Sequence, residues 1–157
     1  MDLLYVVYLL GLLLHVLSFG AWFGLGLRLG GQARTVADAE PAGAALLAAD
    51  GSRTIALMNG FVLLGYAAAL AAFFASPQFA AEGMGGHAWP YHLALTLGLV
   101  LVAVQWALIR PAWARLRATV GAPEADRARG RVAMAMGLGH LTWFVLLVLM
   151  YWERLAA

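Results

Sequence analysis

A bilayer-crossing helix needs about 20 consecutive, mostly apolar residues, and the chain contains four such stretches. They run from Leu3 to Leu27, Thr54 to Ala75, Pro90 to Ile109 and Val132 to Trp152. Hydrocarbon offers no partner for open backbone N–H and C=O groups, so each stretch must satisfy its own backbone as a helix. The pattern predicts an all-α protein: one integral membrane four-helix bundle over residues 1–157. The first stretch does not read as a secretory signal. It begins with Asp2 where a basic cluster belongs, and its apolar run is too long.

Local signals place the ends. Asp50 and Ser52 read as caps for the second helix, and Pro90 suits a first helical position. Pro111 predicts a kink or end to the third helix, with Ala112 to Ala118 continuing as an interfacial helix that sets Trp113 among the headgroups. Gly121 and Pro123 mark the turn before the fourth helix. Pro41 to Ala49 is alanine-rich and reads as a short surface helix. Small-residue pairs, Gly20 with Gly24 and Gly26 with Gly30, are candidates for close helix packing.

Charge sets the orientation. Nine of the ten arginines lie in the first and third connections, at Arg28, Arg34 and Arg53 and from Arg110 to Arg131, whereas Ser76 to Trp89 has none. Basic loops stay cytoplasmic, so both termini are expected on the outer, periplasmic side of a bacterial inner membrane. The chain holds no lysine and no cysteine, which excludes disulfides, thiolate metal sites and iron–sulfur clusters. A pI near 9.4 reflects these topological arginines and does not point to nucleic acid. The apolar outer faces suit lipid, and also a homo-oligomer or a place in a larger complex.

Three histidines interrupt otherwise uncharged spans. An ionisable group inside the membrane is costly and marks a functional site by default, and neutral imidazole is a common ligand for metals and haem iron. His15 shares one face of the first helix with Gly11, Ser18 and Trp22. That stripe is expected to face the bundle, because His and Ser would be unsatisfied in hydrocarbon. His140 lies near Met136, Gly137 and Gly139, whose small size leaves room for a flat macrocycle. His92, Thr96, Leu99, Ala103 and Trp106 form a stripe on the third helix. At a rise of 1.5 Å per residue, His15 lies about 20 Å from the cytoplasmic end, His140 about 14 Å and His92 about 27 Å. His15 is therefore expected to pair with His140, the deeper partner, or with His92 at the outer boundary.

The outer loop offers a second constellation. Met84 and His87 flank two glycines, and thioether with imidazole suits copper, Cu(I) above all. Other polar groups have plainer readings. The tryptophans serve as interface anchors and core, and Asn59, Gln105, Thr96 and Thr142 join helices. No nucleophile–base pair, paired intramembrane carboxylate or phosphate loop is present.

The run His15-Val-Leu-Ser-Phe-Gly-Ala-Trp22-Phe-Gly24 resembles the H-x6-W-x-G pattern of CopD-type copper resistance proteins and HemJ-type protoporphyrinogen oxidases. Trp89-Pro-Tyr-His92-Leu, followed by the basic run Arg110 to Arg117, is the second shared feature. The resemblance implies a small four-helix membrane protein with b-type haem and His15 as axial ligand. The oxidases carry a lysine two residues after the third-helix histidine, where this chain has Ala94. The expectation is a membrane haem b protein that transfers electrons to a redox partner or quinone, with Trp22 beside the cofactor. A CopD-like copper protein and a cofactor-free accessory subunit are the alternatives.

Overall fold

The computed structural model describes residues 2–155, leaving aside the side chains of residues 41, 42, 153 and 154. Helix α1 spans Leu3–Ala37 and α2 spans Pro41–Ala75. A short α3, Pro77–Glu82, and a single tight turn, Gly83–Gly86, form the second connection. Helix α4, Trp89–Val104, continues through a widened turn, Gln105–Ile109, into α5, Arg110–Ala118. Helix α6 is Ala125–Met150, and α7, Trp152–Leu155, closes the chain. Four helical rods are long and apolar enough to cross a membrane, and the described residues contain no strand. The protein is a multi-pass helical membrane bundle whose outer faces contact lipid.

The rods outrun the apolar stretches. α1 and α2 have 35 residues each, about 52 Å at 1.5 Å per residue, against a hydrocarbon core of about 30 Å. The surplus forms a two-helix stalk at the arginine-rich end. This revises the reading of Asp50 and Ser52 as caps. α2 begins at Pro41, with proline in its first turn, and absorbs the surface helix expected over Pro41 to Ala49. Asp50 instead accepts from Arg28 at 2.9 Å and Gln32 at 2.6 Å, tying α2 to α1. Arg28 and Asp50 are about half exposed, so the ion pair orients more than it stabilises. The Ser52 hydroxyl donates to the Ala48 carbonyl and accepts from the Trp113 indole N–H at 3.1 Å, which docks α5 on the stalk.

Pro111 does not end the third rod, which continues as a helix to Ala118. Proline lacks the N–H that its helical turn needs. The turn before it is wound one residue wider, with the Arg110 N–H reaching back to the Gln105 carbonyl. A turn of this width accommodates the missing donor within a continuous helix.

Glycine sets the closest approaches, and of the expected pairs only Gly26 is among them. Gly20, Gly24 and Gly30 face open space. A Cβ at Gly11 would lie 2.9 Å from the Ala72 backbone nitrogen, and one at Gly65 would lie 3.1 Å from the Phe19 ring. Gly11 thus lets α1 pack against the α2 backbone, and Gly65 makes room for the Phe19 and Ser18 side chains. Gly26 leaves space for His140, whose Nε2 would be 2.6 Å from a Cβ there.

Three rods meet at a buried polar chain. The Trp22 indole N–H donates to Gln105 Oε1 at 3.0 Å, and Gln105 Nε2 donates to Asn59 Oδ1 at 2.9 Å. Trp22 and Gln105 are fully buried. Gln105→Leu should lower the thermal midpoint in detergent, at a cost of about 1–2 kcal/mol, because it strands the indole donor in the core. In a Trp22→Phe background the same change should cost much less. Equal costs in the two backgrounds, measured as a double-mutant cycle, would show that the chain is not a coupled unit.

Candidate functional site

At the end of the bundle opposite the arginine stalk, a cavity of about 390 Å³ opens between α1, α2, α4 and α6. Its wall is mostly apolar: Leu12, Val16, Phe19, Ala69, Ala72, Phe73, Ala94, Leu95, Leu146 and Leu147. Polar groups enter it at a few points, from His15, Tyr8, Tyr66, Ser76, His87, Tyr91 and Met150. Small-molecule sites are typically concave, mostly apolar, about 300–1,000 Å³ in volume and equipped with a few convergent polar groups.

His15 is one of two histidines in this wall. Its Nδ1 lies 3.1 Å from the Gly65 carbonyl oxygen. A carbonyl can only accept, so Nδ1 carries the proton of the neutral ring and Nε2 presents a lone pair. Gly65 makes this bond reachable, because a side chain there would push Phe19 and Ser18 aside. Phe19 holds the ring edge-on, with centroids 5.0 Å apart. Nε2 faces Met150 Sδ at 3.4 Å. A thioether has no proton to give, so two electron-pair donors confront one another with none between them. That is the donor set of a soft or borderline metal ion, and a carbonyl-bound second nitrogen is the usual way a ligating histidine is oriented.

The other candidates are distributed differently. His140 does not line the cavity. Its ring packs against Phe23 at 4.5 Å and edge-on to Trp22 at 6.0 Å, while Phe23 also packs on Trp143 at 4.5 Å. Its neighbours Trp22 to Gly26 lie seven to eleven residues beyond His15, about 10–16 Å along α1. Two ligands on opposite sides of one metal, each bonded at about 2 Å, cannot bridge that distance, so the structure does not bring His15 and His140 together. The glycines beside His140 clear no macrocycle space either. Gly139 receives the Trp22 ring, and Gly137 faces outward. His140 Nε2 is buried without a hydrogen-bond partner.

His92 packs edge-on to Phe73 at 5.6 Å, and Phe73, not His92, faces the cavity. Trp22 is committed to Gln105 and lies outside the cavity lining. In the outer loop, Met84 is exposed and separate from the cavity. His87 does reach the wall, stacked on Phe73 at 4.2 Å with Nε2 2.8 Å from Ser76 Oγ. Ser76 Oγ also donates to the Phe73 carbonyl and accepts from the Phe79 N–H, capping α3. With its one proton spent on Phe73, it accepts from His87. No group of three or more His, Cys, Asp or Glu side chains is placed to hold a metal among the described residues.

Met150 and the three tyrosines are the residues that sequence reasoning missed. Depth along the helices carries a partial signal. His15 sits about 20 Å from the arginine end, and Met150, 19 residues after Arg131, sits near 28 Å. Nothing local in the sequence selects it, since the contact spans 135 residues. Comparison with models of known protein families, with curated proteins and with solved structures finds no match.

Proposed function

We propose that the chain is a bacterial inner-membrane haem b protein that carries electrons, with its cofactor in the cavity at the end bearing both termini. The observation that carries this reading is the His15 ring: Nδ1 fixed on the Gly65 carbonyl and Nε2 turned toward a large apolar cavity. A lone ion needs no space of about 390 Å³, whereas a flat tetrapyrrole does. His15 would hold the iron, and Met150 is the second ligand within reach. Methionine with histidine is a ligand set of electron-transfer haems. When bound, the haem would supply one-electron transfer, and the protein would supply ligation, exclusion of water and orientation. Phe19, Tyr66 and Trp143 would wall the cofactor off from lipid. By the arginine distribution the cavity mouth opens outward, toward a periplasmic or membrane redox partner or a quinone.

One distance favours a second reading. Two ligands in line across a metal, at about 2.0 and 2.3 Å, stand more than 4 Å apart. His15 Nε2 and Met150 Sδ, at 3.4 Å, are spaced like adjacent ligands of a bent Cu(I) site, so holding a haem iron with both would require the thioether to withdraw.

The absorption spectrum and metal content of the chain purified from membranes separate the two. A Soret band at one haem per chain is expected. Stoichiometric copper without a Soret band would select the second reading, and neither would overturn both.

A further inference from the structure

We propose that a groove at the arginine-rich end, between the α4–α5 rod and α6, holds the phosphate and one acyl chain of an anionic phospholipid. The groove encloses about 380 Å³, is separate from the histidine cavity, and does not depend on the haem reading. Leu108, Ala112, Met134 and Leu138 give it an apolar channel, and Arg115 and Arg131 stand in its wall. Met134 is 72% exposed and Leu138 44%, so the channel opens sideways toward lipid.

Polarity and depth match such a lipid in order. Arg131 immediately precedes the fourth apolar stretch, and Arg115 follows the third by less than two turns, so both stand at headgroup level. The acyl-sized channel then continues toward the hydrocarbon. No acidic residue lines the groove. The ion pairs among the described residues are Arg28–Asp50 and Arg129–Asp126, which leaves Arg115 and Arg131 without counter-ions. Two guanidinium forks are suited to a phosphodiester, and basic pockets between membrane helices are recognised sites for anionic headgroups. A free phosphate would satisfy the arginines but leave the channel unfilled. A zwitterionic lipid would fill the channel but set its own cation against them.

The test is native mass spectrometry of the intact protein in mild detergent with phosphatidylglycerol or phosphatidylcholine. Retention of phosphatidylglycerol over phosphatidylcholine should be about tenfold or more, and Arg115→Gln or Arg131→Gln should each reduce it about fivefold. Arg34→Gln and Arg127→Gln change the net charge equally but lie outside the groove, and should leave retention unchanged. Ala107→Trp fills the channel with the charge intact and should release the lipid. Equal retention of the two lipids would overturn the proposal. So would an effect of Arg127→Gln as large as that of Arg115→Gln, lipid held by Ala107→Trp, or full displacement by millimolar inorganic phosphate.

Discussion

His15→Ala should insert into the membrane as a folded bundle and lose essentially all bound haem. The imidazole is half-buried and contributes one hydrogen bond, to Gly65, so its removal costs little stability but removes the proposed iron ligand. Met150→Ala should keep the haem. There the loss of the thioether should convert a six-coordinate, low-spin spectrum to a five-coordinate one. His140→Ala and His92→Ala should leave the coordination state as it was, because neither ring lines the cavity. Unchanged haem content in His15→Ala would remove His15 from the site. A spin-state change in His140→Ala but not in Met150→Ala would assign the second ligand to a ring that would first have to move along α1. The paired readouts therefore separate failure of the cavity from failure of the ligand assignment.

The largest stability effect is expected at Gly51. A Cβ there would overlap the six-membered ring of Trp113. That indole is 2% exposed and pinned by its N–H to Ser52, so it has little freedom to retreat. Gly51→Val should cost about 3 kcal/mol or more through overpacking and undock α5 from the stalk. Gly60 lies in the same helix with open space around it. Gly60→Ala should gain up to about 1 kcal/mol from helix propensity. Opposite shifts of the thermal midpoint in detergent are the expected outcome. A tolerated Gly51→Val would mean that Trp113 has a second resting place.

These two glycines show where sequence reading reached its limit. Hydropathy found all four spans because hydrocarbon solvation acts on every residue of a span. It did not find the helix ends, because α1 runs on to Ala37 and α2 starts back at Pro41, through turns that hold Arg28, Gln32, Arg34, Asp50 and Arg53. Asp50 resembled a cap since Asp so often serves as one, and only the register of α1 against α2 shows that Arg28 and Gln32 claim it. The stripe of Gly11, His15, Ser18 and Trp22 was legible, because polar groups on an otherwise apolar helix must turn inward, and Gly11, Ser18 and Trp22 are buried. Of the spaced glycine pairs, Gly26 does meet α6, at Met136 and His140, whereas Gly20, Gly24 and Gly30 face no neighbour. Single glycines at 11, 51 and 65 carry the packing, and each depends on a partner far away in sequence. Met150 was hidden for the same reason.

The widened turn from Gln105 to Ile109 makes the third rod a two-phase object. One extra residue in a helix is a slip of about 100° in azimuth. Up to Val104 the rod presents one set of faces. Beyond Ile109 it presents another, which points Ala112, Trp113 and Leu116 inward and leaves Arg115 on the lipid-facing groove. Deleting one residue between Gln105 and Ile109 would leave hydropathy and length almost unchanged, yet it would return the rod to a single phase. The cavity half and the stalk half could then no longer both be in register with the bundle. The turn thus acts as a clutch between the two ends of the molecule, letting each keep its own contacts along one unbroken helix.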